Sequence, residues 1–195
     1  MRIVCISDTH GVFPDRVPEG DVLIHAGDIT DLGRKLEWEE ALRWFDAQSH
    51  RHKISIPGNH DLDHTDLFSQ HYPLLIGSSI DVEGLSIYGA PWQSNWPGWA
   101  YWTPSSKELW ADIPEGTNLL VTHAPAYGIL DSQFGMDWGC PFLLARILDL
   151  CPLLHVCGHI HGGYGTYSNG CTTFVNAALH DEWRNFTNKP IVIDL

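Results

Sequence analysis

Asp8 and His10 stand just beyond the apolar run Ile3-Val4-Cys5-Ile6, and four further runs end in a comparable way. They read His25-Ala26-Gly27-Asp28, Pro57-Gly58-Asn59-His60-Asp61, Val121-Thr122-His123 and Cys157-Gly158-His159-Ile160-His161. Each closes on carboxylate, imidazole or carboxamide, the donor types of a metal centre without thiolate. Such a set suits Mn, Fe, Co, Ni or Zn better than Ca. Two divalent cations bridged by a carboxylate, roughly 3.5–4 Å apart, polarise a phosphoryl oxygen and lower the pKa of a shared water.

Each piece alone has a plainer explanation. Asp8 could cap a turn, and Gly27-Asp28 and Gly58-Asn59 are common turn dipeptides. A lone His123 is more often structural. Gly158-His159-Ile160-His161 is the most specific, because alternate residues of an extended segment face opposite sides. Both histidines can be ligands only if the chain bends or a second metal lies near. The order of all five pieces, each at a strand-like end, outweighs the separate explanations, since open α/β sheets bind ligands beyond the carboxyl ends of their strands.

In that order the motifs Asp8-x-His10, Gly27-Asp28, Gly58-Asn59-His60-Asp61, His123 and Gly158-His159-x-His161 resemble the calcineurin-like metallophosphoesterase superfamily. Ser7-Asp8-Thr9-His10, Tyr88 to Gln93, Thr122 to Pro125, Gly163-Tyr164-Gly165 and Phe174 to Ala177 are similar to its small metallophosphoesterase-domain-containing group. The resemblance implies a four-layer αββα sandwich, with two facing mixed β-sheets flanked by helices. It also implies two divalent metal ions, Mn foremost with Fe, Co, Ni or Zn as alternatives. Asp8, His10, Asp28 and His161 would hold the first metal and Asn59, His123 and His159 the second, with Asp28 bridging. Attack by a metal-bridging hydroxide would expel the leaving group, protonated by His60. Asp61 either orients the His60 imidazole or is a turn residue.

Leu32 occupies the place where the protein Ser/Thr phosphatases and dinucleoside tetraphosphatases of that superfamily carry an Arg that clamps phosphate, and Arg34 reads as a solvated charge at a helix start. Losing a bidentate Arg weakens recognition of a dianionic monoester. Small phosphodiesters, cyclic nucleotides among them, are therefore the expected substrates. A broad phosphomonoesterase is the alternative, and a non-catalytic metal-binding scaffold is a third. Trp92, Trp96, Trp99, Tyr101, Trp102 and Trp110 form either an aromatic mini-core under an irregular loop or a wall that stacks on a flat leaving group.

The elements that must position these residues read as mixed α/β. Strand-like runs lie at Ile3 to Ile6, Val22 to Ile24, Ile54 to Ile56, Leu85 to Tyr88, Leu119 to Val121, Leu153 to Val156, Thr172 to Val175 and Ile191 to Ile193. Trp38, Ala41, Leu42 and Phe45 have helical spacing; so do Leu144, Ile147 and Leu148 before Pro152, and Ser105 with Glu108 suggests a capping box. At 195 residues, 1–195 reads as one domain. His25, His155 and His180 read as structural, and Asn176 as bonding either a loop or a ligand.

A formal charge of -13 disfavours long nucleic acid as a partner and leaves a small phosphoester as the expected one. No apolar stretch reaches membrane-span length. The start of the chain lacks a signal-peptide core, so a cytoplasmic protein with five buried, reduced cysteines is expected.

Overall fold

The computed structural model describes residues 1–104 and 107–195. Among the described residues, twelve strands follow in chain order: β1 (Arg2–Ile6), β2 (Val22–Ala26), β3 (His52–Ile56), β4 (Ser78–Val82), β5 (Leu85–Ala90), β6 (Leu119–Thr122), β7 (Ser132–Gln133), β8 (Met136–Asp137), β9 (Leu154–Cys157), β10 (Gly165–Ser168), β11 (Thr173–Asn176) and β12 (Ile191–Asp194). The helices are α1 (Lys35–Asp46), α2 (Thr65–Ser69), α3 (Lys107–Ala111) and α4 (Pro141–Leu150).

The strands form a four-stranded sheet, β12-β1-β2-β3, and a six-stranded sheet, β10-β11-β9-β6-β5-β4, with β7-β8 apart. Both large sheets are mixed. Their central strands run parallel, and β12, β10 and β4 pair antiparallel at the edges.

The period-two alternation of each strand assigns its two faces to different layers. Ile3, Cys5, Ile24 and Ile54 point from the smaller sheet onto Ile87, Val121, Val156 and Val175 of the larger, forming the middle core. Val4, Ile6 and Leu23 point outward to Trp38, Ala41 and Phe45 of α1 and Phe68 of α2. On the other side, Tyr88, Leu120 and Phe174 meet Trp110 of α3 and Leu143 and Ile147 of α4. The layers are therefore helix, sheet, sheet, helix. Phe45 and Phe68 meet edge to face, with ring centroids 4.9 Å apart, a geometry that contributes about 0.5–1.5 kcal/mol beyond area burial.

All eight strand-like runs coincide with strands, with Leu153 and Thr172 one residue ahead of β9 and β11, and both apolar helical patterns lie in helices. The edge strands β4 and β10 escape sequence reading because they are mostly exposed and polar, with sequences SSIDV and GTYS. Ser105, the first residue of the suggested capping box, lies outside the described residues.

The expectation of five buried thiols needs correction. Cys151 and Cys171 are exposed and joined in a disulfide, with Cα atoms 5.8 Å apart. Cys151 follows α4 in a left-handed C-cap conformation and Cys171 precedes β11, so neighbouring apolar residues misrepresent their exposure. Cys5, Cys140 and Cys157 are buried. Among the described residues, no helix is long and apolar enough to cross a membrane.

Candidate metal centre

Strands β1, β2 and β3 of one sheet and β6 and β9 of the other deliver their C-terminal turns to one place. Backbone bonds stitch the first two turns together: Asp8 N–H donates to Gly27 O at 2.9 Å, and His10 N–H to Asp28 O at 3.0 Å. Asp8 in turn accepts the His159 N–H at 2.9 Å, tying the first sheet to the second. Such close approach excludes side chains from two of the glycines. A Cβ on Gly58 would lie 2.2 Å from Asp28 Oδ1, and one on Gly158 would lie 2.1 Å from Asp8 Oδ2. Asp8, His10, Asp28 and His159 all adopt left-handed backbone, at φ 54°, 46°, 54° and 66°. Non-glycine residues persist there only where surrounding structure over-determines them.

These turns assemble three groups whose candidate donor atoms lie within 4.8 Å of one another: the clusters Asp8 with His10 and His161, and Asp28 with His123 and His159, and beside the first His10 with Asp31 and His60. Asp28 joins the two clusters, with Oδ2 at 3.9 Å from His10 Nε2 and 3.4 Å from His123 Nε2. Asn59 Oδ1 lies 3.1 Å from His123 Nε2, and His161 Nε2 lies 3.3 Å from Asp8 Oδ1. All seven residues singled out in the sequence therefore converge.

The donor atoms themselves test whether a metal fits. His123 Nδ1 faces Ala26 O at 2.9 Å and His161 Nδ1 faces Asp181 O at 3.1 Å. A carbonyl only accepts, so both Nδ1 atoms carry hydrogen and each Nε2 is the nitrogen that would hold a cation once it has given up any proton. His159 Nε2 is buried and has no hydrogen-bond partner among the described residues. A buried imidazole nitrogen without a partner is costly unless something fills the place. These residues fit two divalent cations.

His60 and Asp61 separate in role. His60 Nδ1 donates to Asp31 O at 2.6 Å, leaving Nε2 as the nitrogen available to the cavity. Asp61 does not orient that ring, contrary to the first of its two sequence readings. Its carboxylate accepts from Gly58 N–H, Ile29 N–H, Thr30 N–H and the Thr30 hydroxyl, at 2.7–3.1 Å. It is a buried turn staple that fixes the Asn59 turn against the Asp28 turn, because backbone donors left by those turns outcompete the imidazole for it.

The clusters open into a cavity of about 300 Å³ whose wall includes His60, Trp96 and Trp99. The aromatic segment divides between its two readings. Trp92 and Trp110 pack into the outer core, whereas Trp96 meets His159 at 4.8 Å between centroids and Trp99 meets His60 at 4.5 Å. Gln133, Glu182 and Arg184 also line the cavity. Sequence reasoning missed all three. They sit in no motif, and the one signal for Arg184 is its rarity, as one of 11 basic residues.

The histidines read as structural are held accordingly: His25 by Thr9 at 3.0 Å, His155 by Thr122 at 2.8 Å, and His180 on Asp8 O at 2.6 Å. Asn176 bonds loops, donating to Ile160 O at 2.8 Å and Leu130 O at 3.0 Å.

Comparison with known proteins gives this geometry a family. The family model described as calcineurin-like phosphoesterase matches residues 1–163. The chain belongs to that family. It is 38% identical over 230 residues to metallophosphoesterase domain-containing protein 1 of Homo sapiens, covering 100% of this chain and 71% of that protein. It is 33% identical to the UPF0046 protein K07C11.7 of Caenorhabditis elegans, covering 98% of this chain and 74% of the relative. Among solved structures, the phosphopantetheinyl hydrolase of Mycobacterium tuberculosis superposes with a TM-score of 0.60 at 16% identity, over 93% of this chain and 91% of that one, and shares the fold. The calcineurin-like phosphoesterase family is dinuclear metal-dependent, and the two clusters are candidate metal-ligand clusters here.

Protonation of this phosphoesterase site must change when metals bind. Burial pushes the Asp8 and Asp28 carboxyls up, but neighbouring imidazoles outweigh it and hold both below the usual carboxylate range. Burial lowers His10 to about 4 and His159 to about 3, so both are neutral at pH 7. Burial also acts to lower His123, yet the Asp28 carboxylate raises it to about 9. A metal on His123 Nε2 must displace that proton. Loading at pH 7 is therefore expected to release at least about one proton per chain, and apparent affinity should climb up to about tenfold per pH unit below pH 9. Calorimetry in buffers of differing ionisation enthalpy checks this; loading without proton release would contradict it.

Proposed function

We propose that the chain hydrolyses small phosphodiesters, cyclic nucleotides among the candidates, and that an aryl or nucleoside leaving group stacks on Trp96 and Trp99. The observation that carries the reading is the state of Arg184. Among the described residues it is the one guanidinium or ammonium on the cavity wall, and Asp31 holds its Nη2 at 3.2 Å. Glu182 adds a second carboxylate to the same wall. A diester carries one negative charge and needs no further cation, whereas a monoester dianion does. Leu32, half-exposed near the Asp28 turn, supplies none.

Two divalent metals, held by Asp8, His10, Asp28 and His161 and by Asn59, His123 and His159, would polarise the phosphoryl group and activate water. Within that frame Asp28 positions His60, whose backbone N–H donates to Asp28 Oδ1 at 2.8 Å. The His60 ring, oriented by the Asp31 carbonyl, would act as the imidazolium and give its Nε2 proton to the departing oxygen, keeping the Nδ1–H on Asp31 O. Trp96, T-shaped against His159 and stacked on Trp138 at 5.7 Å, and Trp99 offer flat apolar faces.

The test is kcat/KM for bis-nitrophenyl phosphate against nitrophenyl phosphate at one pH and metal, followed by 2′,3′- and 3′,5′-cyclic nucleotides. A hydrogen bond to a charged group contributes about 1.5–3 kcal/mol, so its lack should favour the diester by roughly tenfold or more. A preference for the monoester would replace this reading with the phosphomonoesterase.

A further inference from the structure

Asp31 and Arg184 meet on the cavity wall from loops far apart in sequence. Arg184 Nη2 lies 3.2 Å from Asp31 Oδ1 and 3.5 Å from His10 Nδ1. Asp31 Oδ1 is in turn 3.8 Å from His60 Nδ1 and 3.9 Å from His10 Nδ1. The pair thus borders both the expected proton donor and an expected metal ligand.

Both carriers are fixed while their side chains are half-exposed, 54% for Arg184 and 46% for Asp31. Asp31 is anchored through its own carbonyl, which takes the His60 Nδ1 hydrogen. Arg184 sits at φ 63° in a turn built on Asp181, whose carboxylate accepts the N–H groups of Trp183 and Asn185. The Asp181 carbonyl accepts from Arg184 N–H at 2.9 Å and also from His161 Nδ1 at 3.1 Å. One turn therefore orients a ligand imidazole and delivers a guanidinium beside it.

We infer that this pair sets the charge selectivity of the site: Arg184 contacts a non-bridging phosphoryl oxygen of the bound substrate, and Asp31 competes with that oxygen for the guanidinium. Arg offers five donors in a planar fork, so one edge can stay on Asp31 while another meets the ligand. An exposed ion pair is weak by itself, so a ligand can redirect it. Asp31 weakens the pull on every phosphoryl group, and the loss is greatest for a dianion that depends on the full charge. The inference rests on the proposed function only in placing a phosphoryl group in this cavity.

The experiment compares metal-loaded wild type, Asp31→Asn, Arg184→Met and the double variant, with metal content measured for each. The readouts are kcat/KM for nitrophenyl phosphate and bis-nitrophenyl phosphate, and the Kd of inorganic phosphate by calorimetry. Asp31→Asn should raise the monoester-to-diester ratio by about tenfold and tighten phosphate by a similar factor, the size of one charge-assisted hydrogen bond. Arg184→Met should weaken phosphate and raise KM for the monoester more than it lowers kcat. The double variant should match Arg184→Met. A pair that merely ties two loops would shift both substrates alike and leave the ratio unchanged. That outcome overturns the inference, as does a gain from Asp31→Asn that persists with Met at 184. Should the wild type prefer monoesters or turn over neither substrate, the diester reading fails while phosphate affinity across the four proteins still decides the role of the pair.

Discussion

Asp28→Asn is expected to leave the fold intact, remove at least one of two bound metals and reduce turnover by on the order of 10²–10³-fold or more, the loss seen when one preorganised electrostatic group is removed. Asp28 Oδ2 is the atom that stands within 3.9 Å of both clusters, through His10 and His123. A carboxamide has the same shape and keeps one oxygen for the His60 N–H, so the Asn59 turn retains its anchor. What it loses is the negative charge needed to bridge two cations. The same change removes the carboxylate that raises His123, so that imidazole should titrate lower and give up less proton on metal loading. Metal analysis with anomalous scattering, alongside turnover, provides the measurement. Two metals and undiminished activity in the Asn variant would sink the bridging assignment.

His60→Gln should keep both metals yet slow hydrolysis, by ~10²–10⁴-fold for alkyl leaving groups and far less for nitrophenyl. The reasoning is local. His60 touches Asp31 O through Nδ1 and Trp99 through its ring face, and it belongs to neither cluster that contains Asp28 or Asp8. General acid assistance matters in proportion to the basicity of the departing oxygen. Equal losses for both leaving-group classes would show that His60 positions substrate without donating a proton.

Much of this was legible in the chain because strand ends and ligands coincide. Ile6, Ala26, Ile56, Thr122 and Cys157 close buried strands whose apolar runs are plain, and the polar residues beyond them have few roles at such a place. Less was legible where tertiary contacts decide. Asp61 follows His60 directly, yet its partners are Ile29 and Thr30, brought near by a turn some thirty residues earlier. Arg184 reaches His10 across 174 residues, a distance that no local pattern encodes. Trp96 and Trp99 differ from Trp92 only in which way an aperiodic loop turns them, while Trp110 is carried by α3. Cys151 and Cys171 flank apolar runs but pair at the surface.

The left-handed backbone at Asp8, His10, Asp28 and His159 also bears on how such a protein responds to change. An L-residue in that region costs about 1–2 kcal/mol where glycine costs little. Replacing His10 or His159 by glycine would relieve conformational strain while deleting a donor atom, whereas Asp8 and Asp28 also hold the His159 and His60 N–H groups. Directed evolution scored only on heat resistance would therefore be drawn to these positions, and a hardened but inactive chain is the outcome to guard against. Libraries built on this scaffold should hold those codons constant and seek stability in the outer helical layers instead.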